Sequence, residues 1–373
     1  HDVSVSSMLL RFALRYVGGY NLQIMKLKKV TLTHHRSIKE TESLVIDGGV
    51  TVLIGANDHG KSNILAAIYC LNDDKKLVAE DRNWDADVAA PVKIEWRFTV
   101  ADDDPAMAKL REMAVPPAAP ADSSTLAQDP PAAPPPDVFP VTDGEIVLYR
   151  DVELNTVKIA SLPLSIPTSK EKEVLQLRPR VEQFEALVAN LVDEVTAAQL
   201  ITAPFEFMQG IFHLAGIWDK RDKLFGQTDV SSRILDEAST QLTKMLNDRW
   251  HQGHDLRWRL IHTGTNGDKI KIEIEDPSIK GRFSRPSQRS SGFRTFFLLS
   301  MITQARTAGN PGNAYIYLFD EPGTYLHPHA QLDLQRSFEK IAEKTQIVYT
   351  THSLFLVNKN YPERNRVISK GKQ

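Results

Sequence analysis

Eight consecutive residues, Gly55-Ala-Asn-Asp-His-Gly60-Lys61-Ser62, fit the pattern G-x-x-x-x-G-K-[ST]. Glycines at both ends let the backbone curl so that successive N–H groups point inward at phosphate oxygens. An apolar helical run, Ile64 to Leu71, follows, and a helix start at that point would add its partial positive charge. Lys61 would then reach the β- and γ-phosphates of a nucleotide, and Ser62 would ligate Mg²⁺. The bland alternative is a glycine turn before an ordinary helix.

Such a loop needs a carboxylate on a neighbouring strand. Ala314 to Phe319 is an apolar run that ends in Asp320-Glu321-Pro322. Asp320 could hold the Mg²⁺ hydration shell, and Glu321, one residue on, could polarise an attacking water as general base. Gln346 to Thr350 reads as another strand and closes on Thr351-His352-Ser353, where a histidine could touch a γ-phosphate. Taken singly, an Asp-Glu pair is usually surface charge and a lone histidine usually structural. The joint order of phosphate loop, strand-Asp-Glu and strand-His is hard to obtain by chance.

The elements that must position these groups are legible around them. Lys26 to Ile54 reads strand, turn, strand, with the β-branched run Val50 to Ile54 bounded by Gly48-Gly49 and Gly55. Pro91 to Val100 alternates as a strand. Leu256 to Ile261, a turn at Gly264 to Gly267 and the alternating Lys269 to Ile274 predict a hairpin. Residues 170–252 read as mostly helical. Val181, Phe184, Val188, Leu191 and Val195 share a helical spacing after Pro179, and Ile234, Leu235, Ala238, Leu242, Met245 and Leu246 mark a second amphipathic helix. Residues 101–141 hold ten of the 21 prolines, a composition that predicts a flexible excursion with no packed core. Residues 1–24 stand apart: Arg11 interrupts the apolar Met8 to Leu14, no cleavage site frames it, and a fresh start falls at Met25. A leader, a tag remnant and an N-terminal helix all suit it.

Composition narrows the class. The chain has 373 residues, with 45 Lys+Arg against 47 Asp+Glu and one cysteine, Cys70. A disulfide scaffold and a cysteine-rich zinc module are excluded, and a lone cysteine suits the cytoplasm. No apolar stretch is long enough to span a membrane. A net charge of −2 gives no global pull toward nucleic acid, so DNA contact must come from a local patch. Arg282, Arg285, Arg289 and Arg294 form an acid-free stretch. DNA phosphate contact, nucleotide charge compensation and solvated arginines are all open readings of it.

This constellation resembles the ABC-type ATPase head, and more narrowly the RecF/SMC-like branch that includes OLD-family proteins. Leu32-Thr-His-His-Arg36-Ser-Ile38 is similar to that branch's N-F-R-S-I start, with His35 where Phe is usual. Gly55 to Asn63 is similar to its G-x-N-x-x-G-K-S-N, and Asp320 to Pro328 to the D-E-P-x-x-x-L-H-P run of OLD-like ATPases. Arg289-Ser290-Ser291-Gly292-Phe293 resembles the R-S-x-G-F form of the ABC signature, with Ser290 at the serine position and Gly292 at the second glycine. His327 stands where transporters carry the D-loop aspartate. No Q-loop glutamine is found near Asp81-Arg82-Asn83-Trp84.

The resemblance implies an α/β fold: an ABC-type P-loop ATPase head with a mixed sheet core, an antiparallel β subdomain and a helical insertion lobe. The expected division is a leader-like 1–24, an N-terminal ATPase lobe 25–100, a Pro/Ala-rich insertion 101–141, a strand and helical insertion lobe 142–254, and a C-terminal ATPase lobe 255–373. ATP and Mg²⁺ are the implied ligands. Gly55, Asn57, Gly60, Lys61, Ser62, Asn63 and Arg36 would bind nucleotide in cis, with Ser62 and Asp320 on the metal and Glu321 and His352 catalytic. Ser290 and Gly292 would reach the γ-phosphate of a second subunit, giving a homodimer or higher homo-oligomer around two Mg-ATP. That assembly would gate a DNA-directed or phage-defence effector. OLD-like proteins often carry a Toprim nuclease. The D-x-D matches here, Asp85-Ala-Asp87 and Asp102-Asp-Asp104, lie upstream, and Gln373 falls 21 residues past His352, so these residues are expected to lack a nuclease centre. A partner nuclease or a Toprim domain beyond Gln373 would supply it. A RecF/SMC-like DNA-repair ATPase and an ATP-dependent assembly scaffold with little turnover stand as alternatives.

Overall fold

The computed structural model describes residues 25–87, 89–115, 137–184, 192–202, 206–248, 256–277, 282–309, 314–324 and 326–369. The leader-like segment 1–24, most of the proline-rich stretch (116–136), Val188 and Leu191 lie outside the described residues. In chain order the strands are Lys26–Thr33 (β1), Thr41–Val45 (β2), Val50–Ile54 (β3), Lys93–Thr99 (β4), Glu145–Asp151 (β5), Lys158–Ser161 (β6), Arg180–Phe184 (β7), Glu194–Thr196 (β8), Arg257–Thr263 (β9), Lys269–Glu275 (β10), Phe283–Ser284 (β11), Tyr315–Phe319 (β12), Gln346–Thr351 (β13) and Asn365–Val367 (β14). The longer helices are Lys61–Tyr69 (α1), Pro105–Met113 (α2), Glu206–Leu214 (α3), Asp229–Asn247 (α4), Ser291–Gly309 (α5) and Pro328–Ala342 (α6).

A parallel sheet ordered β14-β3-β13-β12-β7 divides two hydrophobic cores. Both faces are covered, so the inner strands β3, β12 and β13 are buried almost throughout, while the edge strands β7 and β14 carry polar residues. In β12, Tyr315, Tyr317 and Phe319 enter one core while Ile316 and Leu318 enter the other. The first core also takes α3 to α6 and the β9–β10 hairpin; the second takes α1 and an antiparallel sheet ordered β2-β1-β4-β5-β6. In that sheet β4 buries every second residue, Ile94, Trp96 and Phe98, as its alternation requires. Ile54 pairs with Thr351 and Phe319 with Tyr349, so β3, β12 and β13 release their following loops at one carboxyl edge.

The expected hairpin forms, with β9 paired along all of β10. The amphipathic helix forms as α4, burying Leu235, Ala238, Leu242 and Leu246. Three expectations are corrected. Val181 and Phe184 lie not on a helix but on β7, the edge of the parallel sheet beside β12. The spacing of three that reads as a helix face places them in opposite cores of a two-faced sheet. Strands β5 and β6, expected in an inserted lobe, extend the antiparallel sheet from β4. Finally, part of the proline-rich stretch is packed. Asp104 accepts from Ala106 N at 2.7 Å to cap α2, Pro105 occupies its first turn, and Met107 and Leu110 are buried.

Candidate functional site

The phosphate loop leaves β3 at Gly55, where the chain runs against the neighbouring strand's continuation. A Cβ on Gly55 would lie 2.2 Å from the Ile368 carbonyl oxygen. The loop reverses through left-handed Asp58 (φ 59°) and Gly60 (φ 92°) and feeds α1 at Lys61. No side chain caps α1, so the first N–H groups of the helix are free for an anion. A cavity of about 370 Å³ opens there, lined by Asn57, Asp58, Gly60, Lys61, Ser62, Asn63, Asp320, Glu321 and His352.

Lys61 is 5% exposed, and a buried ammonium must be satisfied. Its Nζ donates to the carbonyls of Gly55 (2.8 Å) and Ala56 (3.0 Å) and lies 3.9 Å from Glu321 Oε1. Ser62 Oγ donates to Asp320 Oδ2 at 2.8 Å, which joins the start of α1 to the end of β12. The other Asp320 oxygen accepts from Thr350 Oγ1 at 2.5 Å, and the same hydroxyl accepts from Glu321 N at 2.8 Å. Thr350, fully buried on β13, thus fixes both carboxylate residues at once. Glu321 sits at φ 49°, a left-handed residue just past the strand. Its Oε2 accepts from His352 N at 3.2 Å. Its Oε1 is buried without a hydrogen-bond partner, 2.9 Å from His352 Nε2.

A second tier stands behind the loop. Arg36, itself left-handed at φ 49°, donates from Nε to Asp81 Oδ1 at 2.8 Å and from a terminal nitrogen to Asn63 Oδ1 at 3.4 Å. Asn63 also donates to Ser37 Oγ at 3.0 Å. Burial alone would raise Asp81, but bonds from the Val78 N–H and the Arg36 guanidinium outweigh it and hold the carboxyl below its usual range. His35 is fully buried and both its ring nitrogens lack partners; burial, aided by the Arg36 charge and opposed by Asp81, lowers its pKa to about 4.

The structure therefore gathers Gly55, Asn57, Gly60, Lys61, Ser62, Asn63, Asp320, Glu321 and His352 at one edge, with Arg36 attached through Asn63. Ser290 and Gly292 are not among the cavity's lining residues. Ser290 Oγ accepts from Phe293 N at 3.4 Å and caps α5, whose start is pinned by Phe293 and Phe297 stacked and tilted on Trp258. The arginine stretch, acid-free in sequence, is not so in space, because Asp193 accepts from Ser287 N at 3.0 Å. Arg289 stacks over Phe293 at 4.9 Å. Sequence reasoning missed Asp81 and Thr350 as supports. Asp81 opens the segment in which a Q-loop glutamine would fall; nothing in the sequence signals the Thr350 bonds.

The donor set fits Mg²⁺. Two hard oxygens, from Ser62 and Asp320, face the cavity, as suits an ion that keeps water and phosphate ligands. Among the described residues no group of three or more His, Cys, Asp or Glu could hold a metal, and no helix is long and apolar enough to cross a membrane.

A family described as "AAA ATPase domain" matches residues 25–198 and 227–357. An uncharacterized protein of Methanocaldococcus jannaschii is 29% identical over 137 residues, covering 35% of this chain and 34% of its own. The DNA replication and repair protein RecF of Macrococcus caseolyticus is 45% identical over 62 residues, covering 14% of this chain and 16% of its own. The chain thus spans about a third and about a sixth of these two relatives' lengths. Among solved structures, an Smc head bound to the C-winged helix domain of ScpA superposes with a TM-score of 0.52 at 15% identity, covering 92% of this chain and 94% of that one. The fold is therefore the expected α/β one, an ABC-type head of SMC kind with parallel and antiparallel sheets.

Proposed function

Because the chain belongs to the AAA ATPase domain family, we propose that it is an ATP-binding and ATP-hydrolysing head of the SMC/RecF-like ABC type. One observation carries the reading. Three parallel strands deliver Lys61 with Ser62, Asp320 with Glu321, and His352 to the rim of a single cavity. Ligands of open parallel sheets sit at that carboxyl edge. Gly55, Asn57, Gly60 and Asn63 cradle the phosphates, and Lys61 turns from its two carbonyls to the β- and γ-phosphates. Ser62 and Asp320 hold Mg²⁺, which when bound supplies Lewis-acid neutralisation of phosphate charge. Glu321 takes the proton of the attacking water; its carboxylate lines the cavity, with Oε1 2.9 Å from His352 Nε2 and 3.9 Å from Lys61 Nζ. His352 contacts the γ-phosphate. Arg36, backed by Asp81, steadies the nucleotide through Asn63.

The finer reading is a homodimer around two Mg-ATP, in which Ser290 and Gly292 at the start of α5 close on the partner's γ-phosphate. Their place off their own cavity supports it. The Asp320 to Pro328 run and the Arg289 to Phe293 signature favour an OLD-like head that gates a DNA-directed or phage-defence effector, a nuclease partner or Toprim domain. A DNA-repair ATPase is the second reading, favoured by the RecF match. The direct test is phosphate release from ATP with and without Mg²⁺, beside light scattering with a non-hydrolysable analogue. Turnover that needs Mg²⁺ and vanishes in Lys61→Ala supports the ATPase, and doubled mass supports the dimer. No Mg²⁺-dependent turnover rules out the first, and unchanged mass the second.

A further inference from the structure

Gln331 lies in the first turn of α6, and its side chain is 9% exposed. Its backbone N–H already bonds the His327 carbonyl at 3.1 Å, so the helix does not need its amide. The amide joins three segments instead. Its Nε2 donates to the carbonyls of Gly323 and Leu326, both at 3.0 Å, and its Oε1 accepts from Ser353 Oγ. Gly323 and Leu326 belong to the loop that leaves Glu321; Ser353 follows His352 directly. One buried side chain therefore ties the loop of Glu321 to the loop of His352 from behind the cavity.

The brace is stiff at each contact. A Cβ on Gly323 would lie 2.5 Å from Leu356 Cδ1 and 3.3 Å from Gln331 Cδ. Ser353 is itself held, its N–H donating to Thr351 Oγ1 at 3.0 Å and its Oγ accepting from Phe355 N at 3.2 Å. At the other end, Gln331 shares its helical turn with His327 and His329, which are exposed. The chemistry demands an amide: two donors and an acceptor on one planar group. A carboxylate would set a charge against two carbonyls, and a thioether would leave all three partners without their bond.

We infer that Gln331 is a positioning residue: by tying the two loops together it sets the 2.9 Å approach of His352 to Glu321. The inference rests on the ATPase reading above. Gln331 does not line the cavity, so its loss acts on the geometry of the pair and not on nucleotide binding. Misplacement of reacting groups by about 1 Å costs on the order of 100-fold, so Gln331→Met should lower kcat by about 10- to 100-fold while KM for ATP stays within about threefold. Ser353→Ala removes one of the three Gln331 bonds together with the bond from Phe355 N. It should lower kcat less than Gln331→Met, and the losses in the double variant should fall short of additive, because Ser353 acts on the pair in part through Gln331.

The test pairs those kinetics with the imidazole resonances of His352 in nucleotide-free protein, read by NMR, with His34 as a distant control. The expected result is a shift of the His352 resonances in both variants, none at His34, and the split of kcat from KM. Unmoved His352 resonances, a raised KM at constant kcat, or additive losses in the double variant would overturn the inference. Should the wild type fail to turn over ATP, the ATPase reading falls, while the His352 resonances still decide whether Gln331 sets the pair.

Discussion

His35 offers a test in which the residue's environment fixes both sign and size. Its ring is fully buried beside the turn at Arg82, with neither nitrogen hydrogen-bonded. Burial first, and the Arg36 charge second, lower its pKa from 6.5 to about 4, against the pull of Asp81. In the unfolded chain the ring takes its proton as pH falls through 6.5; in the folded chain it stays neutral until about 4. Its full share of stability is therefore present above 6.5 and drains away as pH falls to about 4, a loss of about 3 kcal/mol. His35→Phe abolishes that titration. It also removes two unpaired buried nitrogens, which should raise stability at neutral pH by about 1–2 kcal/mol. Urea denaturation of both proteins from neutral pH down toward the folded pKa measures the difference directly, since every other titrating group is shared. The gap should be positive at neutral pH and widen by about 3 kcal/mol as the medium acidifies. A gap that stays flat with pH, or a variant weaker than the wild type at neutral pH, would mean instead that the ring is solvated or paired.

Two further substitutions probe the supports of the cavity. Thr350→Val keeps shape but strips the hydroxyl that serves Asp320 and Glu321, so it should cost about 1–2 kcal/mol in denaturation and about tenfold in Mg-ATP affinity by titration calorimetry. Equal affinity in variant and wild type would show that Asp320 is oriented without it. Gly60→Ala forces a side chain onto φ 92° and places a Cβ 2.4 Å from Ser37 Oγ. It should cost at least about 1–2 kcal/mol and weaken nucleotide binding, whereas an unchanged thermal midpoint would mean the loop relaxes at no expense.

What the sequence discloses follows from what each element must do. The Val50 to Ile54 and Tyr315 to Phe319 runs are legible because both faces of a parallel strand are buried, which leaves continuous apolar stretches ending in glycine or aspartate. The phosphate loop, Asp320, Glu321 and His352 are legible by type and order, and the sheet brings them to one edge. β7 is not legible. Val181 and Phe184 are three apart, a helical interval, and only the covering of both faces of the sheet makes that spacing consistent with a strand. The supports are the least visible. Arg36 and Asp81 are 45 residues apart, and the Gln331 bonds are made to two main-chain carbonyls and a serine. No local pattern encodes such pairs. The departure at His35 is visible as an odd residue, but its burial and its lowered pKa emerge only when β1 and the Arg82 turn close around it.

In the function proposed above, this cavity hydrolyses ATP with Glu321 as base. Glu321→Gln keeps a carbonyl oxygen for the His352 N–H yet removes the proton acceptor. The decisive measurement is single-turnover phosphate release, with bound nucleotide quantified in the same sample. The variant should retain Mg-ATP while release slows by at least about 100-fold relative to wild type. Release at the wild-type rate, or failure of the wild type itself to bind Mg-ATP, would contradict it.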